Sequence, residues 1–215
     1  MVTVVSDTTL IPNKEFTKLA SDEQVERVAK ALETNGMRTL IAKDGEEAKK
    51  IVLGLVPENV EVYTNQSKTL EKLGLFDEFD KSGRYNAVRP KVMALDRKTQ
   101  SNEIRKLRTI PDYIIGSVHA ITEDGKVLVS SFGGSQLAPY AAGAAKVIWV
   151  VGIQKLVKDL DEGFRRIEEY SYPLEDERLL AALGIHTAIG KTLIVNREVV
   201  PGRIMIVLVK EELGY

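Results

Sequence analysis

The chain has 215 residues, enough for one sizeable hydrophobic core, and its 44% hydrophobic and 28% charged residues are ordinary for a globular protein. Its 30 Lys and Arg are interspersed with 31 Asp and Glu, which argues against nucleic acid or an anionic membrane as partner, since either would call for a basic face. Cysteine is absent and histidine occurs twice, which excludes disulfides, thiolate catalysis and Fe–S ligation by these residues and weighs against a metal site.

Residues 1–13 show no basic stretch followed by an apolar core, so no signal peptide is expected. The most apolar run, 141–153, is interrupted by Lys146 and too short to span a bilayer; a cytoplasmic protein is expected. Residues 13–35 set Phe16, Leu19, Ala20, Val25, Val28, Ala29 and Leu32 at helical spacing. Ser21-Asp22 is placed to cap a second helix there and Asn35-Gly36 to end it. Residues 37–42 read as a strand, 45–55 as a helix with Ala48, Ile51, Val52 and Leu55 on one side, and 60–64 as the next strand. That β-α-β unit predicts parallel strands.

After 60–64 a polar turn, NQSKT, leads into a helix that ends at Gly74 or runs on towards Phe79. Residues 96–108 form a charged amphipathic helix closed by Pro111. The β-rich runs 112–122 and 126–131 flank Glu123-Asp124-Gly125, a strong hairpin signal. Residues 146–152 are too uniformly apolar for an edge strand. Two helices are expected at 159–170 and 175–183, separated by Tyr172-Pro173, and two terminal strands at 191–199 and 203–211, joined by a Pro201-Gly202 turn. No linker or repeat interrupts the pattern. It predicts a single α/β domain over residues 1–215, built on a mixed sheet, with 1–35 as an N-terminal helical extension.

In open α/β sheets ligands sit beyond the carboxyl ends of the strands. Three strand ends carry polar turns: Thr64-Asn65-Gln66-Ser67-Lys68-Thr69, Gly116-Ser117-Val118-His119, and Gly133-Gly134-Ser135-Gln136. Neighbouring strands would bring them to one donor-rich cleft suited to a small anionic or carbonyl-containing molecule. Gly133-Gly134 serves either an anion-binding turn or a plain strand-to-helix turn. Asn65 or Ser67 serves as a helix cap or a ligand donor. Lys68 in a first helical turn opposes the macrodipole, which an anion nearby would offset. His119 is a general acid or base, or a hydrogen-bonded core residue. Four serines invite a hydrolase reading, but no G-x-S-x-G elbow is present.

The segments DYIIGSVHAITEDGKVLVSSFGGSQLAPYAAGAAKVIWVVGIQKLV, YPLEDER and PGRIMIVLVKEELGY together resemble the lactate-utilisation (LUD) domain family, formerly a family of unknown function. The resemblance implies a three-layer Rossmann-like α/β fold of the sugar-phosphate isomerase and CoA-transferase-like type. It also implies that Thr64, Asn65, Ser67, Lys68, Gly133, Gly134, Ser135 and Gln136 surround a ligand's anionic group, beside Ser117 and His119. Three features depart from the wider superfamily. No glutamate nucleophile occupies the GGSQ turn; Ser117 and His119 stand where ribose-phosphate isomerases have acids; and TNQSKT is poorer in glycine than their phosphate loop. With no cysteines, the chain resembles the cluster-free branch of the family.

Three functions follow from the resemblance. One is binding of an organic acid or a phosphorylated or CoA-like metabolite, with His119 as proton carrier. The second is a non-catalytic subunit organising Fe–S oxidoreductase partners, and the third an ATP-using enzyme like the folate cyclo-ligases. No cofactor is specified, and an exposed sheet edge would allow a homodimer.

Overall fold

Burial sorts the strands into two sheets in the computed structural model, which describes residues 10–215. The larger sheet has six strands in the spatial order β1 (Arg38–Ala42), β10 (Ile204–Val209), β7 (Lys146–Gly152), β4 (Tyr113–Gly116), β2 (Glu61–Thr64) and β3 (Asn86–Ala87), and every neighbouring pair is parallel. The smaller sheet is mixed: β8 (Leu156–Val157), β5 (Ala120–Thr122), β6 (Val127–Ser131) and β9 (Lys191–Val195), with β5–β6 and β6–β9 antiparallel. The fold is a Rossmann-like three-layer α/β arrangement, and the mixed pairing belongs to the second sheet alone.

The period-2 alternation of β7 shows why it lies inside. Val147, Trp149 and Val151 enter one hydrophobic cluster, Ile148 and Val150 the other, on opposite faces of the sheet. The first face is covered by α1 (Asp22–Thr34), α4 (Val88–Ala94), α5 (Ser101–Thr109) and the small sheet. The second is covered by α2 (Gly45–Leu55) and α3 (Lys68–Lys72). A third cluster of Ala120, Leu128, Val157 and Ile167 joins the outer face of the small sheet to α6 (Leu160–Arg166) and the turn that follows it. Among the described residues no helix is long and apolar enough to cross a membrane.

Several expectations need correction. The strand expected over 112–122 breaks at 117–119, where the chain leaves the large sheet as β4 and enters the small one as β5; only β5 and β6 make the Asp124-Gly125 hairpin. The two terminal strands do not pair across Pro201-Gly202. β9 is half-exposed and binds the edge of β6, whereas β10 is buried along its whole length and inserts between β1 and β7. A wholly apolar strand can be covered on both faces only inside the parallel sheet. β1 and β2 are parallel as expected but have three strands between them. The charged helix starts at Ser101 rather than 96, and Tyr172-Pro173 does not separate two helices. The path from α6 continues through a wide turn at Ile167–Ser171 into α7 (Tyr172–Leu183), with Pro173 in its first turn, where the missing N–H costs nothing.

Ser21 caps α1 by accepting from the Gln24 N–H, and Gly36 closes it at φ +81°. Val25, Val28 and Leu32 are wholly buried in the main core, so this helix is a structural part of the domain. The portion of the expected extension on residues 1–9 lies outside the described residues.

The entry to β10 is held by Arg203, whose side chain is almost buried. It pairs with Glu198 at 2.7 Å and donates to the main-chain oxygens of Ala144, Pro139 and Tyr140. Removing one partner of a buried pair leaves the other charge uncompensated. Arg203→Ala is therefore expected to lower the unfolding free energy by about 3–5 kcal/mol in urea titrations; a loss below about 1 kcal/mol would show that Arg203 is not a clamp.

Candidate functional site

Gly116 ends β4, and it is the residue that shapes the site. A Cβ built there would lie 1.7 Å from Tyr140 Oη and 3.5 Å from Asn65 Cβ. Without one, the Tyr140 phenol reaches the end of the strand, its ring edge-on to Trp149 at 5.3 Å. Burial pushes the phenol's ionisation up, so it stays protonated. Beyond Gly116 the chain crosses between the two sheets, and Ser117, Val118 and His119 line the gap it opens.

That gap is a cavity of about 280 Å³. It is walled by Asn65, Gln66, Ser67 and Lys68 after β2, by Ser117 to His119 after β4, by Val129 to Ser131 at the end of β6, and by Phe132, Gly133, Ser135 and Gln136 after it. The three strand-end turns singled out in the sequence therefore meet at one place. A smaller recess of about 50 Å³ adjoins it, reached past His119, Ser130 and Ser131 towards Ser171 and Tyr172.

The individual side chains divide by what they already bind. Thr64 does not face the cavity: its hydroxyl donates to both oxygens of Asp80 at 2.8 Å, and its carbonyl accepts from Arg89. Asn65 is almost buried and its N–H pairs with the Ile115 carbonyl, which ties the β2 turn to β4. Ser67 caps α3 by accepting from the Leu70 N–H, and Lys68 pairs with Glu71 at 2.8 Å, so the unfavourable cation of the first turn has a local counter-charge. Gly134 sits at φ +84°, a backbone region in which glycine is at home. Ser131 Oγ braces the turn by accepting from the Gly134 N–H and donating to Gln136 Oε1, while Gln136 Nε2 reaches back to the Ser130 carbonyl. The side chain of Gln136 thus supports the turn, and the N–H groups of Gly133, Ser135 and Gln136 have no acceptor among the described residues.

His119 is fixed by the backbone around it. Its Nδ1 accepts from the Ser130 N–H at 3.1 Å, so the neutral ring carries its proton on Nε2. Its carbonyl accepts from the wholly buried Arg166 at 2.5 Å. Burial, and with it the Arg166 guanidinium, pushes the imidazole down to about 3. At neutral pH His119 is a donor through Nε2.

Sequence reasoning did not single out the remaining wall. Glu175 and Arg178, one turn apart on α7, form a two-pronged ion pair with both distances 2.7 Å, and the Tyr215 hydroxyl donates to Glu175 at 2.7 Å. The i, i+3 spacing inside YPLEDER was the available signal. Lys155 lies behind Ser117 and is 1% exposed; a lysine in the apolar run GIQKLV was its only trace. Among the described residues no group of three His, Asp or Glu side chains is placed to hold a metal ion.

A family model described as the LUD domain matches residues 25–209. The chain belongs to the LUD domain family. This LUD-domain chain also superposes on the crystal structure of a DUF162 family protein from Deinococcus radiodurans, with a TM-score of 0.54 and 12% identity, over 89% of this chain and 99% of that one. At that identity the likeness bears on the fold alone. No curated protein matches the sequence.

Two outcomes follow from the geometry. Gly116→Ala forces Tyr140 away from the strand end, and overpacking of this kind costs about 1–3 kcal/mol; unfolding titrations read the loss, and an unchanged midpoint would contradict the close approach. His119, depressed from 6.5 to about 3 in the folded protein, takes up a proton on unfolding between those values. Its contribution to stability is complete above about pH 6.5 and is lost as pH falls towards 3. NMR should show its ring signals unmoved between about pH 5 and 8, where an ordinary histidine titrates.

Proposed function

We propose that this LUD-domain protein acts in the cytoplasm by binding a small anionic metabolite, an organic acid or a phosphorylated or CoA-like compound, in the cavity beyond β2, β4 and β6. The reading rests on the balance of charge around that cavity. Lys68 and Arg178 on its wall each have a carboxylate partner in Glu71 and Glu175. Arg166, directly behind His119, has none in contact. Its Nη1 donates to the neutral oxygens of His119 and Ser171, and Nε and Nη2 have no partner among the described residues. A buried guanidinium with no carboxylate in contact creates a positive potential that the low local dielectric does little to screen. Donors add to it: Nε2–H of His119, the Ser135 hydroxyl and the free N–H groups of the 133–136 turn.

The charge pattern supports an anion in preference to a neutral or cationic guest, because among the described residues Glu175 is the only side-chain carboxylate on the wall and it is already spoken for by Arg178 and Tyr215. The ligand's anionic group would lie towards Ser67, Lys68, Gly133 and Ser135, leaving the floor at Ser117 for the rest of the molecule.

Thermal unfolding in the presence of CoA, inorganic phosphate or lactate tests the reading. A ligand at 100 times its dissociation constant stabilises the folded state by about 2.7 kcal/mol, which shifts the midpoint by several degrees. Ser135→Leu is expected to abolish the shift while the protein still unfolds cooperatively. A flat response to all three compounds, or a shift that Ser135→Leu leaves intact, would count against this site.

A further inference from the structure

Anion binding leaves one pair of groups at the cavity floor without a task. Lys155 lies in the helical turn Ile153–Lys155 that follows β7, in surroundings where an ammonium is costly. Its Nζ is 3.2 Å from Ser117 Oγ, 3.4 Å from Thr69 Oγ1 and 3.1 Å from the main-chain oxygen of Tyr215. None of these partners is a side-chain carboxylate.

The hydrogen-bond roles can be assigned. Thr69 Oγ1 directs its own proton to the Leu213 carbonyl at 3.1 Å, with Ser117 Oγ at 3.3 Å as a second acceptor, and the Tyr215 oxygen has no proton to give, so both Thr69 and Tyr215 accept from Lys155. A neutral amine has two N–H groups, which these two oxygens take. In that neutral form the lone pair faces Ser117 Oγ at 3.2 Å, to which an ammonium would instead donate. Burial, and next to it the Arg166 guanidinium, hold the lysine well below its ordinary value and favour that neutral form. A nucleophile within reach of a base, with the base itself oriented by further groups, is the arrangement that activates a serine. Ser117 lines the cavity, and Lys155 stands behind it, shielded from solvent.

We propose that Ser117 and Lys155 form a nucleophile–base pair for acyl transfer, acting on an ester or thioester of a small organic acid. This rests on the cavity being the ligand site argued above. In the first step Lys155 Nζ takes the Ser117 proton as Oγ bonds to the acyl carbon, and the carbonyl electron pair moves onto oxygen. His119, two residues along on the same wall, offers Nε2–H to that oxyanion. Collapse breaks the bond to the leaving alkoxide or thiolate, which takes the proton from Lys155. Water then attacks the acyl-serine and gives its proton to Lys155; Ser117 Oγ leaves and recovers that proton. The products are the free acid and an alcohol or thiol.

The test is acylation by p-nitrophenyl acetate, followed by peptide mass spectrometry. One acetyl group is expected on Ser117, absent in Ser117→Ala. Lys155→Met, which keeps the side-chain volume and removes the amine, should slow labelling at least about 100-fold, the lower bound for loss of a general base. Lys155→Gln, which retains donors for Thr69 and Tyr215, should slow it similarly and guards against misfolding of the first variant. Acetyl found only on surface lysines, or labelling of Ser117 at an undiminished rate in both lysine variants, would overturn the pair. Stabilisation by CoA or phosphate, measured on the same samples, separates the two readings. Stabilisation without acylation removes the pair and leaves the anion site. Acylation at Ser117 without stabilisation supports the pair and removes the anion site.

Discussion

The close approach of Tyr140 to Gly116 is the contact on which the cavity depends. β4 must stop where the phenol reaches it, and only a residue without Cβ lets the phenol reach it. Because the strand stops there, residues 117–119 leave the parallel sheet and cross to the hairpin of the smaller one. The gap between the two sheets is therefore lined by the polar ends of β2, β4 and β6 instead of being filled by continued strand. The same contact fixes Asn65 beside Gly116, and through the Asn65–Ile115 hydrogen bond it sets where the β2 turn begins. Packing of one aromatic ring thus decides which polar groups meet.

The electrostatics follow from the same architecture. Ion pairs exposed on the wall are neutral as units and screened by water. Arg166 and Lys155 are different, since both are buried and neither touches a side-chain carboxylate among the described residues. A domain that carries two such groups gives up stability relative to apolar residues of the same size. Their positions, one behind His119 and one behind Ser117, put that cost beside the cavity. Their surroundings act together: burial first, and then the Arg166 guanidinium, holds both His119 and Lys155 down, which keeps a neutral donor and favours a neutral amine at ordinary pH.

Much of this was legible in the sequence, for identifiable reasons. The strand-end turns could be found because Asn65 to Lys68, Ser117 to His119 and Gly133 to Gln136 each break an apolar run with small polar residues, a purely local signal. The Ser21 cap and the glycine at 36 were equally local. The destination of the last strand was not. Whether residues 204–209 hairpin back onto 191–195 or insert between β1 and β7 depends on which neighbours need covering, information spread over the whole chain. Thr64 escaped for a related reason: alternation along β2 turns its hydroxyl towards Asp80, but Asp80 could be placed only after folding. Lys155, Arg166 and Arg178 were hidden for a third reason. Each is a charged residue whose meaning comes from its burial or its partner, and neither can be read from spacing alone.

Diffraction from crystals soaked in selenate addresses most directly the proposal that the cavity between the ends of β2, β4 and β6 attracts anions. Anomalous scattering should place a selenate inside the space bounded by residues 65–68, 117–119 and 133–136, within hydrogen-bonding distance of the free N–H groups of the last turn. Selenate bound only at other surfaces, with that space filled by packed side chains or holding no anion, would contradict it.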